Sequence, residues 1–150
     1  MTVSMREYLE RSLGVWDGTY THLSPTGEVI ETFDSRQELR LDGPLWYERL
    51  VHRPGTAQER ISDFRGRLAD DGTLDLGMVG FTGTATVLDD RALFFTGHWQ
   101  ETGVRVDELV TMVTSDEKLR LWQRFEGDTL IGISVIRETR QAGGVPADWR

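Results

Sequence analysis

The chain of 150 residues contains no cysteine. This absence excludes disulfide bonds, thiolate metal sites and catalysis by a thiol nucleophile. Because disulfides belong to oxidising compartments, a chain without them suits the reducing cytoplasm, where we expect this protein. Histidine is also scarce, and the three histidines show no ligand-like spacing. We therefore expect neither a metal site nor a bound cofactor.

Positive charge is in the minority, with 17 Lys and Arg against 25 Asp and Glu and a formal net charge of −8. An acidic surface repels phosphate backbones and anionic lipids, so we expect neither nucleic-acid binding nor membrane association. Long hydrophobic runs are absent too, since none approaches the roughly 20 residues of a membrane-spanning helix. The charged segment 1–13 also lacks the apolar stretch of a signal peptide.

Hydrophobic residues at helical spacing are confined to the first 13 residues. Ser4 and Glu7 have the spacing of a capping box. Met5, Tyr8 and Leu9 fall on one helical face. The pattern predicts a short helix within residues 1–13.

From residue 14 to residue 140 the pattern changes to the two-residue alternation of β-strands, broken by turns such as Asp70-Asp71-Gly72. We predict one all-β domain over residues 1–150, in which residues 14–140 form an up-and-down antiparallel barrel of about 8–10 strands and residues 141–150 form a tail. Closure is favoured because it removes both edge strands. A β-sandwich is the alternative.

The segment Gly14-Val15-Trp16-Asp17-Gly18 resembles the G-x-W entry of the calycin superfamily, which includes lipocalins, fatty-acid-binding proteins and nitrobindin-like barrels. A short helix, this motif and consecutive hairpins are similar to that group along the whole chain, and the strand count is nearer to its ten-stranded members. The resemblance implies an interior that holds a small, largely apolar molecule. It also implies that Trp16 lies at the closed end, beneath Arg137 or Arg140 of the last strand.

Two departures from these relatives concern the ligand. The last strand reads Arg137-Glu138-Thr139 instead of the Arg-x-Tyr with which fatty-acid-binding proteins hold a carboxylate. No histidine stands near the C-terminus, where nitrobindin-like barrels present their haem ligand. The resemblance therefore points to neither fatty acid nor haem.

The first candidate site residues lie on the first strand. Tyr20 and His22 share a strand face with Trp16, which is itself a candidate ligand-binding residue. If this face is the interior, a Tyr–His pair can exchange protons near neutral pH. The alternative is that Tyr20 packs and His22 lies in water at the rim. We predict that both are catalytic.

Further candidates lie on the strand from residue 45 to residue 53. Trp46, Glu48 and His52 share one face, and Tyr47 lies on the other. An internal Glu48 would have a raised pKa and could act as an acid, so we predict that it is catalytic. Trp46 and Tyr47 are predicted to bind the ligand, and His52 is expected in solvent beside a turn.

The most aromatic strand offers two alternatives, because Phe95 and Trp99 share one face and His98 lies on the other. Either Trp99 or His98 therefore lines the pocket, and all three are candidate ligand-binding residues.

A later strand places Arg120, Trp122 and Arg124 on one face. Charges within strands, including Glu48 and Glu108, are expected mostly on the outer face. The alternative is an inward arginine that grips an anionic or carbonyl group through a forked contact. Trp122 and Arg124 are the candidates for ligand binding here.

Two functions fit these residues. The first is a cofactor-independent enzyme that folds, cyclises or isomerises a natural-product-type substrate, since ordering a flexible molecule lowers its barrier to reaction. The second is a non-catalytic carrier or sensor of a small hydrophobic ligand. A structural domain with a filled interior is a third possibility. We expect a monomer or a homodimer.

Overall fold

The first element is helix α1, Met5–Ser12, within the segment where the sequence predicts a helix. The structure, a computed structural model, describes residues 3–78, 80–144 and 146. The Ser4 side chain caps α1 by accepting a hydrogen bond from the backbone N–H of Glu7 at 3.1 Å. Residues 1–2 of the predicted helical segment lie outside the described residues. So do residues 145 and 147–150 of the predicted tail.

Ten strands follow α1 in the described part of the chain. They are β1 (Gly14–Leu23), β2 (Val29–Asp42), β3 (Leu45–His52), β4 (Arg60–Leu68), β5 (Leu74–Met78), β6 (Phe81–Val87), β7 (Ala92–Trp99), β8 (Val104–Met112), β9 (Glu117–Glu126) and β10 (Thr129–Arg140). Each strand pairs antiparallel with the next one along the chain.

The barrel closes where the first strand meets the last. On β1, Tyr20 pairs with Phe33 of β2 on one side and with Ile136 of β10 on the other. Each of these ten strands thus has two hydrogen-bonded neighbours, and none of the strands in the described residues is an edge strand. The prediction of a closed up-and-down barrel with a short N-terminal helix is confirmed, and the sandwich alternative is wrong.

Helix α1 covers one end of the barrel, which we call the helix end. The Arg6 guanidinium donates to the carbonyl oxygen of Gly43 at 2.8 Å, and the Tyr8 hydroxyl donates to that of Val110 at 3.2 Å. At the opposite end, which we call the open end, β1 finishes and β10 begins. No helix in the described residues is long and apolar enough to cross a membrane.

Trp16 anchors the helix end from inside the barrel. Its indole N–H donates to the carbonyl oxygen of Ser12 at 2.9 Å, and its side chain is fully buried among α1 residues. The guanidinium carbon of Arg140 lies 4.3 Å from the Trp16 ring centre. Arg140, and not the exposed Arg137, therefore occupies the place that the calycin resemblance assigns to an arginine.

Candidate functional site

A cavity of about 120 Å³ lies inside the barrel between α1 and the open end. One side of it is apolar, with leucine, valine and aromatic side chains from β2 to β8. The aromatic members are Trp46, Phe64, Phe81, Phe95 and Trp99. An apolar cavity of roughly 150 Å³ holds a benzene ring, so this one has the size for a molecule with about one ring.

The aromatic residues of this wall contact one another near the open end. The Phe81 ring centre lies 4.8 Å from that of Trp99, 5.9 Å from that of Phe64 and 6.1 Å from that of Phe95. Phe64 and Trp99 are half-buried, whereas Tyr8 at the helix end is buried. The cavity is therefore closer to solvent at the open end than beneath α1.

The opposite side of the cavity is a buried ionic network centred on Arg120. Its Nε donates to Oε1 of Glu138 at 2.8 Å and its Nη2 donates to Oε2 of the same carboxylate at 3.0 Å. Its Nη1 donates to Glu108 at 3.3 Å, and Nη2 also reaches the hydroxyl oxygen of Tyr20 at 3.0 Å. One guanidinium thus fixes three side chains from three other strands.

Lys118 extends this network towards the helix end. Its Nζ lies 3.6 Å from Oε1 of Glu138 and 4.1 Å from the ring centre of Trp16, and it donates to the amide oxygen of Gln37. The amide nitrogen of Gln37 in turn donates to Glu48. Gln37, Glu48, Glu108, Lys118 and Arg120 all line the cavity.

The protonation of the network follows from burial and from its neighbouring charges. Burial raises the pKa of Glu108 to about 7 against the opposing effect of Arg120, and it also raises the pKa of Glu48. Burial has the same tendency at Glu138, but Arg120 and Lys118 outweigh it and lower the pKa of that carboxyl.

The charges of the network do not balance when every group is ionised. Three carboxylates face two cations, so full ionisation leaves one negative charge inside the barrel. Burial lowers the pKa of Lys118 to about 8, although Glu138 opposes this shift. Burial therefore favours a proton on the carboxyls of the cavity wall, and the pKa of Glu108, raised to about 7, lies near neutral pH.

Gly18 gives the Glu138 side chain its place against β1. A Cβ at residue 18 would lie 2.6 Å from Cγ of Glu138 and 2.3 Å from the carbonyl oxygen of Arg137. The second glycine of the G-x-W-x-G segment is thus required by the close approach of β10.

Two tryptophans beside the cavity have indole N–H groups that find no partner in the described part of the chain. Nε1 of Trp46 and Nε1 of Trp122 are buried and have no hydrogen-bond acceptor among the described residues. Both side chains line the cavity. An unsatisfied buried donor is costly, so each is a ready donor for an acceptor atom of a bound molecule.

The structure brings together five of the residues that the sequence nominated. They are Trp46, Glu48, Phe95, Trp99 and Trp122. Whether they bind or convert a ligand stays a prediction. Of the two alternatives on β7, Trp99 faces the cavity and His98 lies exposed on the outer surface.

The other nominated residues lie elsewhere. Tyr47 faces outwards, with its ring centre 4.8 Å from the guanidinium carbon of Arg40. Tyr20 is fully buried behind Arg120, and its ring stacks on Phe33 at 5.3 Å. Trp16 lies beneath α1, as described above.

At the open end, His22 and His52 flank this stacked pair of rings. Nδ1 of His22 lies 2.6 Å from the Ser134 hydroxyl. His52 is half-buried, 4.6 Å from the Tyr20 ring, so the expectation that it lies in solvent is wrong. Burial lowers the pKa of both imidazoles, to about 4 for His52, and nearby Arg53 and other cations act in the same direction.

The expectation that most strand charges lie on the outer face is wrong for Glu48, Glu108 and Arg120. On β9 the polar face is the inner one, while Leu121 is 38% exposed on the outside. The same reasoning missed Lys118, which continues the two-residue alternation of Arg120 and lines the cavity. That alternation of basic residues was the available signal.

No family model and no curated protein matches the chain. Solved structures do match. An S-type phycobiliprotein lyase from Guillardia theta has a TM-score of 0.75 and 14% identity, with 93% of each chain covered. A protein of unknown function of the DUF3598 family, from Nostoc punctiforme PCC 73102, has a TM-score of 0.72 and 12% identity over 89% of this chain and 49% of that one.

A redesigned β-barrel bound to DFHBI has a TM-score of 0.44 and 16% identity, over 89% of this chain and 98% of that one. At these identities the first two likenesses show the fold alone, a ten-stranded antiparallel barrel. Membership of the calycin superfamily stays a prediction.

Proposed function

We propose that the protein binds a small, largely apolar molecule with a carbonyl group in its barrel cavity and isomerises or cyclises it without a cofactor. The observation that carries this proposal is the pairing of an aromatic wall with Glu108. The pKa of Glu108 is raised to about 7 by burial, and its carboxyl lies 3.3 Å from Arg120. A group with a pKa near the operating pH serves best as a general acid or base.

Binding rests on the apolar wall and on the unpartnered donors. Burial of apolar surface contributes about 25 cal/mol per Å². A carbonyl oxygen of the ligand accepts from the indole N–H of Trp46 or Trp122, which have no acceptor among the described residues. A few placed polar groups in an apolar pocket are typical of sites that orient a small molecule.

The proton transfers need only the two raised-pKa carboxyls. In a β,γ-unsaturated ketone, protonated Glu108 donates to the carbonyl oxygen and ionised Glu48 removes a proton from the α-carbon, which gives a dienol. Glu48 then returns its proton to the γ-carbon, and Glu108 recovers the enol proton. The double bond has moved, and no atom or electron has been gained or lost. Positive charge on Arg120 stabilises the negative charge that develops at the oxygen.

This proposal keeps Glu48 in the catalytic role that the sequence suggests and adds Glu108. Tyr20 becomes a positioning residue, because its hydroxyl holds Arg120 from behind and its side chain does not line the cavity. His22 lies at the open end and takes no part in the proton transfers proposed here.

The test is conversion of β,γ-unsaturated ketones, beginning with 3-cyclohexenone, whose conjugated product absorbs in the ultraviolet. We expect the wild type to accelerate the reaction and Glu108→Gln to lower kcat/KM by about 10²-fold, the usual size of a general acid–base contribution. Glu101→Gln, at an exposed position outside the barrel interior, is the matched control and leaves the rate unchanged.

Two results would overturn parts of this proposal. Conversion that survives Glu108→Gln undiminished would remove Glu108 from the mechanism. Binding of these ketones without conversion of any of them would overturn the proposed enzymatic activity. The protein would then be a carrier or sensor of the same kind of molecule.

A further inference from the structure

Arg124 is an inward-facing cation at the open end of the barrel. It follows Trp122 by two residues on β9, so both side chains lie on the same face. Across the sheet it pairs with Val106 of β8, which lines the cavity. Two residues of strand span about 7 Å, so Arg124 stands one step outside the aromatic cavity.

The neighbouring strand is shaped to receive the Arg124 side chain. Gly132 is its partner on β10, and a Cβ at that position would lie 2.7 Å from Nη2 of Arg124. The guanidinium therefore lies across the bare backbone of β10. A side chain at residue 132 would displace it from the barrel mouth.

Arg124 differs from Arg120 and Lys118, the inward cations described above, in having no acid partner among the described residues. Arg120 and Lys118 both meet Glu138, whereas none of the ion pairs among the described residues includes Arg124. Its Nε is buried without an acceptor in the same described part of the chain. A buried charged donor without a partner is costly, and a bidentate carboxylate satisfies it best.

The open end holds a second cation, Arg53. Arg53 packs on Phe33 at 4.2 Å at the same end, although its charge is offset by Glu31 at 2.7 Å. Among the neighbouring charges that lower the pKa of His22, Arg124 has the largest effect. In a protein with a net charge of −8, Arg124 is thus an inward positive charge that no acid among the described residues neutralises.

We infer that the ligand carries a carboxylate, which Arg124 binds at the open end while the apolar part of the molecule occupies the cavity. This inference rests on the proposed binding function and names the class of molecule, an amphipathic carboxylic acid. A single unpartnered guanidinium matches a monoanion, and its forked N–H groups match the two carboxylate oxygens.

The test compares two probes that differ only in the anionic group, 4-phenylbutyrate and 4-phenylbutanol, by isothermal titration calorimetry. We expect Arg124→Gln to weaken 4-phenylbutyrate about tenfold, which corresponds to about 1.4 kcal/mol, and to leave 4-phenylbutanol unchanged. Arg105→Gln is the matched control, because Arg105 lies beside Val106 on the outer face and its substitution removes the same charge. It is expected to change neither affinity.

A second variant keeps the arginine and moves it. Gly132→Ser places a side chain where the guanidinium lies, and we expect the same selective loss of 4-phenylbutyrate binding. Equal losses of affinity for both probes, or no loss for either, would overturn the carboxylate site. In that case, binding of 4-phenylbutanol by the wild type would still support the apolar cavity. Failure of the wild type to bind either probe would overturn the binding function as well.

Discussion

Arg120 and Glu138 meet inside the barrel through two parallel hydrogen bonds of 2.8 and 3.0 Å. Their side chains are 1% and 0% exposed. Removing such charges from water costs several kcal/mol for each ion, and only good geometry with further partners offsets that cost. Here Tyr20, Glu108 and Lys118 supply the further contacts. The pair is therefore a fixed framework on which the polar wall of the cavity is built.

Glu138→Gln should destabilise the fold strongly. The change keeps the shape of the side chain but leaves Arg120 and Lys118 buried without their shared carboxylate. Breaking a buried pair in this way costs about 3–5 kcal/mol, which urea unfolding measures as a lower midpoint. Asp63→Asn is the control, since it breaks the two-point pair with Arg49 on the outer, more exposed face and should cost less than about 1 kcal/mol. Equal losses for the two variants would contradict this account of the network.

Gly18→Ala should also lower stability, for a steric reason. The added Cβ would meet the Arg137 carbonyl oxygen at 2.3 Å and Cγ of Glu138 at 2.6 Å, and neither β10 nor the ion pair can move freely. We expect a loss of about 1–3 kcal/mol, the usual cost of overpacking. Gly77→Ala, where a Cβ meets nothing within 4 Å, should be close to neutral. Thermal unfolding of the two variants makes the comparison, and a neutral Gly18→Ala would show that the strands separate there without cost.

The stability difference between the wild type and Glu108→Gln should depend on pH. Burial raises the pKa of Glu108 from 4.5 to about 7, so between these values the folded state holds a proton that the unfolded chain has released. The contribution of Glu108 to the free energy of unfolding is therefore full below pH 4.5 and falls until about pH 7. At 1.36 kcal/mol per pKa unit the fall is about 3 kcal/mol.

The wild type alone does not reveal this effect. Burial lowers the pKa of His52 to about 4, so its contribution to stability rises with pH between about 4 and 6.5 and partly cancels that of Glu108. The measurement is urea unfolding of the wild type and of Glu108→Gln at about pH 5 and about pH 7.5. Both proteins contain His52, so its contribution cancels when the two free energies of unfolding are subtracted. We expect Glu108→Gln to gain stability relative to the wild type as the pH rises. A constant difference would place Glu108 in contact with water.

The sequence predicts the barrel well because turns and two-residue alternation are local features. It also locates Trp16, because the motif around it has a fixed position before the first strand. The network is different, since Gln37 and Lys118 are 81 residues apart and meet only through closure. Alternation shows that a strand has two faces but does not show which one is inside. The usual assumption is that the apolar face of a strand lies inside. On β9 this assumption is wrong, because Leu121 is exposed on the outside.

The central claim is that the barrel cavity binds a small apolar molecule, and filling that cavity tests it most directly. Ala85 lines the cavity and is buried, so Ala85→Phe places a ring inside it, whereas Thr86→Phe places the same ring on the exposed outer face. The measurement is the affinity of 4-phenylbutanol for the wild type and both variants by isothermal titration calorimetry. We predict that Ala85→Phe abolishes binding and that Thr86→Phe binds as the wild type does. Equal affinities for all three proteins, or no binding by the wild type, would contradict the claim.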